Sequence, residues 1–227
     1  MRYHPTLEPL EPRDLSATSS PAEAEFLRLL NAARADPAAY GRAIGLDLSG
    51  VAPAPALLPD ANLTEAARRH SQDMNDRRYF GHTSLDGQGP AERLRAAGVV
   101  TGVWGESLAA GFPTPAEALR GLVVDAGIPD AGHRRHLLAL DGYFRTHTHA
   151  GVGIAHGDGP YRWYVTIDTA RPENPTSPLA AANPAWVAAL YRDLLGRPAS
   201  ATEVEQWRYA APDAVARGFL HSQEYLN

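Results

Sequence analysis

Cysteine is absent from the 227-residue chain. Disulfides, thiolate nucleophiles and Cys-ligated zinc are therefore excluded, and stability must come from packing alone. That absence names no compartment. Long apolar runs are also missing: nothing approaches the roughly 18 consecutive apolar residues of a membrane-spanning helix. There is no run of basic residues, and the formal charge is −5 with a pI near 6.0, so nucleic acid is not an expected partner. Hydrophobic residues make up 44% and charged residues 21%. Those are ordinary values for a packed globular chain, and they exclude disorder throughout.

Residues 1–19 are expected to form an extended tail. They lack the apolar core of a conventional signal peptide, and Pro5, Pro9 and Pro12 block a helix. After them, Ser20-Pro21-Ala22-Glu23 reads as a capping box with proline at the first helical position. Phe26, Leu29, Leu30 and Ala33 follow at helical spacing. Asp36-Pro37 restarts a short helix to about Ile44, and residues 45–60 read as a proline-broken loop. Asn62 is expected to cap the next helix, whose apolar face is Leu63, Ala66, Ala67, His70 and Met74. Further helices are expected over Pro90–Ala97, from Thr114 to Val124, and from a cap at Asp130 to Leu138.

Three strands are expected. Val103–Ala109 is one. Val152–His156 and Tyr161–Asp168 flank the turn residues Gly157-Asp158-Gly159-Pro160. Tyr161, Trp163, Val165 and Ile167 alternate as in a half-buried antiparallel strand. Helices around a small antiparallel sheet give an α+β class rather than βαβ units. Prolines over 171–182 mark a linker, and residues 183–227 carry three short helical patterns, too few residues for a large core of their own.

Several motifs fall in one order along 20–170. They are Leu30-Asn31-Ala32-Ala33-Arg34, Ala67-Arg68-Arg69-His70-Ser71-Gln72-Asp73-Met74 and Gly81-His82-Thr83-Ser84-Leu85-Asp86-Gly87. Then come Gly105-Glu106-Ser107-Leu108, Gly132-His133-Arg134-Arg135-His136 and Gly151-Val152-Gly153. Together they resemble the CAP superfamily of cysteine-rich secretory, antigen 5 and pathogenesis-related proteins, in its bacterial SCP-like form. The resemblance implies an α–β–α sandwich and an extracellular or cell-surface setting. It also implies a cleft tetrad of His82, Glu106, Asp125 and His133, with Asp125 standing where many members have Glu.

Two imidazoles with two carboxylates suit zinc or another divalent transition metal. A metal-free polar cleft remains an equal alternative. The resemblance further implies binding of a lipid or cell-envelope component. The rivals are a metal-dependent hydrolase of peptide or cell-wall material with Glu106 as general base, and a structural protein with a vestigial cleft. Leu190-Tyr191-Arg192-Asp193-Leu194-Leu195-Gly196-Arg197-Pro198 and Phe219-Leu220-His221-Ser222-Gln223-Glu224-Tyr225 resemble a helical module of bacterial surface proteins. That implies a protein partner for 183–227. Leu7-Glu8-Pro9-Leu10-Glu11-Pro12-Arg13-Asp14-Leu15 resembles an export motif, LEPRxLL, lacking its second leucine.

Other polar and aromatic residues have plainer expected roles. His70 reads as a core histidine and Ser107 as a hydrogen-bonding strand residue. His136 is expected to face solvent or pack, because Arg134 and Arg135 flank it. His147 and His149, one residue apart on a strand face, are the rival metal pair, expected at the surface. Tyr161 and Trp163 are expected in the core, with the lining of an apolar groove as their alternative role, and Trp104 beside the cleft.

Overall fold

A computed structural model describes residues 19–175 and 184–207. The expected export motif and the third C-terminal helical pattern lie outside these residues. The helices are α1 (Pro21–Ala35), α2 (Pro37–Ile44), α3 (Ala61–Asp76), α4 (Pro90–Ala96), α5 (Pro115–Val124), α6 (Gly132–Leu137), α7 (Pro184–Leu195) and α8 (Ala201–Trp207). The strands are β1 (Leu58–Pro59), β2 (Trp104–Ala110), β3 (His149–His156) and β4 (Trp163–Ala170). They form one sheet in the order β1-β3-β4-β2. The α+β class is as expected. β1, two residues pairing parallel to β3, lies inside the expected loop.

The capping box at Ser20 closes as the sequence suggests: Ser20 Oγ accepts from Glu23 N and Glu23 accepts from Ser20 N. Two expected caps move. Asp60, not Asn62, caps α3, accepting from Leu63 N at 2.9 Å. An aspartate one residue ahead of the helix satisfies an orphan N–H directly. α6 starts at Gly132 behind Ala131, which holds a left-handed φ of 48° and has no side chain able to cap.

Helix α3 lies on one face of the sheet, at van der Waals distance from its backbone. A Cβ on Gly151 would come within 2.1 Å of the Leu63 carbonyl carbon, and one on Gly153 within 2.2 Å of Ala67. Only glycine permits that approach. On the other face α1, α5 and α6 build the main core from Phe26, Leu30, Leu119, Leu122, Leu137, Val165 and Ile167. β4 is therefore covered on both faces, and from Tyr164 to Ala170 every residue is buried. This corrects the half-buried alternation read from its sequence. α7 packs against α1, and Gly196 at its end lies beside the Arg28 side chain.

Candidate functional site: a cleft astride the β2 edge

Among the described residues β2 pairs only with β4 and so forms an edge of the sheet. Its side chains alternate between the two faces. Trp104 and Leu108 pack toward α3 with Leu63, Ala66 and Met74. Ser107 and Ala109 point toward α6 and α5. Glu106 shares the α3 face, while Asp125 and His133 come from the α5–α6 side.

On the α3 side, Glu106 is 1% exposed at its side chain. Its Oε1 accepts from His82 Nδ1 at 2.7 Å, and its Oε2 from Arg93 Nη2 at 2.5 Å. Arg93 also donates to the His82 carbonyl at 2.8 Å and the Gln88 carbonyl at 3.0 Å, pinning the loop that carries His82. Directly across the strands, Asp168 stands opposite Glu106 and is buried. Burial first, and then the Glu106 charge, push the Asp168 carboxyl well above the usual carboxylate range.

On the other side, Asp125 ends α5 in a left-handed conformation, φ 56°. Asp tolerates that region better than most residues. From there its carboxylate reaches the start of α6. Oδ2 accepts from the His133 and Arg134 backbone N–H groups at 2.9 and 3.3 Å, and Oδ1 accepts from His133 Nδ1 at 2.7 Å. Asp125 thus does the capping expected of Asp130, which stays exposed on the surface.

The four tetrad residues are therefore arranged as two pairs. All four carboxylate oxygens are engaged by Nδ1, guanidinium or backbone donors. With its Nδ1–H donated to a carboxylate, each neutral imidazole carries its lone pair on Nε2. Among the described residues, no group of three or more His, Cys, Asp or Glu stands in position to share an ion.

Beside the Asp125–His133 pair lies a cavity of about 300 Å3, lined by Phe80, Leu108, Ala110, Phe112, Leu122, Ile128, Tyr161, Asp125 and His133. Tyr161 is 49% exposed and packs edge-on against Phe80, with ring centres 5.7 Å apart. It belongs to this cavity rather than to the core. Trp163 is half-buried and stacks on His156 with ring centres 4.1 Å apart.

Beneath β2 lies a second polar layer. Ser107 Oγ bonds His136 Nδ1 at 2.7 Å, His136 Nε2 meets Thr169 Oγ1 at 2.6 Å, and His147 Nδ1 meets the same hydroxyl at 2.6 Å. His136 and His147 are buried: His136 packs, one of the two positions expected for it, while the surface position expected for His147 is corrected. Desolvation first, then neighbouring charges, lowers His136 to about 3 and His147 to about 4. His149, also lowered to about 4 by burial, bonds Thr148. His70 is buried as expected, with Nε2 on the Gly81 carbonyl at 3.1 Å.

Arg93, Asp168, Phe80 and the Thr169 hydroxyl were not legible as site residues. Only the β2–β4 register could have flagged Asp168, and Arg93 sits in a helix with no distinctive pattern. Trp104 packs with Leu63, Leu94 and Val99 beside the cleft, while its backbone N–H and C=O both meet the Tyr143 hydroxyl, at 3.1 and 2.9 Å.

Residues 27–168 match the family described as the cysteine-rich secretory protein family, CAP. A curated relative, the uncharacterized protein YkwD of Bacillus subtilis, is 31% identical over 141 residues, covering 61% of this chain and 51% of that protein. The chain thus spans about half the length of that relative. Among solved structures, an extracellular protein containing an SCP domain from Bacillus anthracis aligns at TM-score 0.48 and 24% identity, over 73% of this chain and 45% of its own. An outer surface protein from Borrelia burgdorferi aligns at TM-score 0.41 and 16% identity, over 66% of this chain and 94% of its own.

Proposed function

The chain belongs to the cysteine-rich secretory protein (CAP) family, and from that premise we propose an extracellular or surface-associated binding protein whose cleft holds one divalent transition-metal ion through His82 and His133. One observation carries this reading. Each imidazole is bonded at Nδ1 to a buried carboxylate and keeps Nε2 for a ligand. This is how proteins orient metal-binding histidines: the carboxylate fixes tautomer and ring angle and raises ligand basicity. Nitrogen donors favour zinc or copper over calcium or magnesium. Glu106 and Asp125 act as orienting groups on this reading. A bound ion would supply Lewis acidity, and its remaining positions would go to water or to ligand groups.

The hydrolase alternative gains no support from Glu106, whose two oxygens are already committed to His82 and Arg93. Calorimetric titration of zinc into metal-stripped protein tests the proposal. Saturation near one ion per chain is expected, lost in the His82→Ala/His133→Ala double variant. Binding unchanged in that variant would refute it.

A further inference from the structure

Among the described residues, the outer edge of β2 is unpaired just where the cleft opens. Gly111 N donates to the Trp163 carbonyl and Arg171 N to the Val103 carbonyl. With the β2–β4 register, these bonds fix which groups face β4: residues 103, 105, 107, 109 and 111 pair inward. The main-chain groups of residues 104, 106, 108 and 110 therefore point away from the sheet. The Tyr143 hydroxyl takes both of those on Trp104. No described protein group bonds the outward N–H or C=O of Glu106, Leu108 or Ala110. Glu106 confirms the direction: its side chain is 1% exposed, yet the residue is only half-buried, so its exposure lies in the backbone.

The apolar cavity runs along the same edge, touching Leu108, Ala109 and Ala110 and closed by Phe80, Phe112, Ile128 and Tyr161. An occupant must therefore do two things. It must fill an apolar pocket, and it must answer donors and acceptors that repeat every second residue. An acyl chain would do the first and leave three N–H and three C=O groups dry, a heavy desolvation cost. A small ion would do neither. The flanking charges are already matched, Glu106 by Arg93 and Asp125 by the α6 amides and His133, so the walls call for no strongly charged ligand. An extended peptide supplies complementary partial charges at the required period and a side chain for the pocket.

We propose that the cleft binds an extended peptide of about five residues, which adds as a strand to the 106–110 edge of β2 and seats an apolar side chain against Phe80 and Tyr161. This rests on the reading of the cleft as a ligand-binding site and names its ligand class.

The test is NMR on the full-length protein with acetylated, amidated Thr-Thr-Leu-Thr-Thr and Thr-Thr-Phe-Thr-Thr peptides. Saturable shifts at the Glu106, Leu108 and Ala110 amides are expected. Versions N-methylated at alternate residues should split, one set binding and the other not. Ala110→Pro removes one outward donor at an edge position that tolerates proline, and should weaken binding about tenfold. If that variant misfolds, the N-methylated peptides carry the same test on the native chain. Phe80→Ala/Tyr161→Ala should also weaken binding.

Absence of saturable binding at about 1 mM peptide, a very weak affinity, overturns the proposal. So does equal binding of both N-methylated sets, which would mean an apolar pocket without strand pairing. Zinc calorimetry on the same sample separates the two readings. Zinc without peptide refutes this inference alone, and peptide without zinc refutes the metal reading alone.

Discussion

His136 carries the sharpest single-residue consequence of burial. Its folded value is about 3, against 6.5 in an unfolded chain. Between those values the unfolded state binds a proton that the native state refuses. The stability linked to His136 is thus complete above pH 6.5 and is lost as the pH falls below it. The loss is about 1.4 kcal/mol per pH unit, or about 2 kcal/mol by pH 5. His147, lowered to about 4, adds in the same direction. Asp168, whose carboxyl is raised first by burial and then by the Glu106 charge, works oppositely: its contribution is lost as the pH rises past the unfolded value of 3.8. Urea unfolding at pH 7 and pH 5 should show the acid loss, and His136→Gln should flatten it. The same slope in both proteins would contradict this assignment.

The carboxylates lend themselves to a second residue-scale prediction. Glu106→Gln and Asp125→Asn should each weaken zinc binding by about 10- to 100-fold while leaving the stoichiometry unchanged. Equal affinity in variants and wild type would show that the rings need no orienting partner. His82, Glu106 and His133 were legible in the sequence as motif residues. Their pairing was not, because it depends on the Arg93 contacts that pin the His82 loop and on where the α5–α6 turn delivers Asp125.

At the scale of elements, helix starts were read well where proline fixes the first position, as at Pro21, Pro37, Pro90 and Pro115. The failures share a cause. The α6 cap comes from Asp125, seven residues before Gly132, through a left-handed turn that no local pattern announces. The burial of β4 on both faces follows from packing of α3 opposite α1 and α5, which alternation within one strand cannot report. The α3–sheet contact depends on two glycines. Gly151→Ala would drive a methyl into the Leu63–Thr64 backbone. It should cost about 3 kcal/mol, at the upper end for overpacking, measured by denaturant unfolding. A loss below about 0.5 kcal/mol, the range of ordinary surface changes, would mean that α3 can lift off the sheet freely.

For the whole molecule, the segment 27–168 contains both His–carboxylate pairs, the cavity and the sheet from β1 to all but the last two residues of β4. The α7–α8 pair lies outside it; α7 packs on α1 and α8 on α7. Removing residues 184–227 should therefore lower the melting temperature by uncovering α1 while leaving zinc affinity within about twofold, a change worth under 0.5 kcal/mol. Calorimetry and thermal unfolding on the shortened chain would check both halves of that statement. On the proposed reading, the two dyads flanking β2 serve one ion through their free ring nitrogens. The most direct measurement is a zinc-loaded crystal examined at the zinc absorption edge. One anomalous peak bonded to Nε2 of His82 and of His133 is expected, with Glu106 and Asp125 still on the Nδ1 atoms. A peak at His147 and His149, or a peak in contact with only one of the two cleft rings, would contradict it.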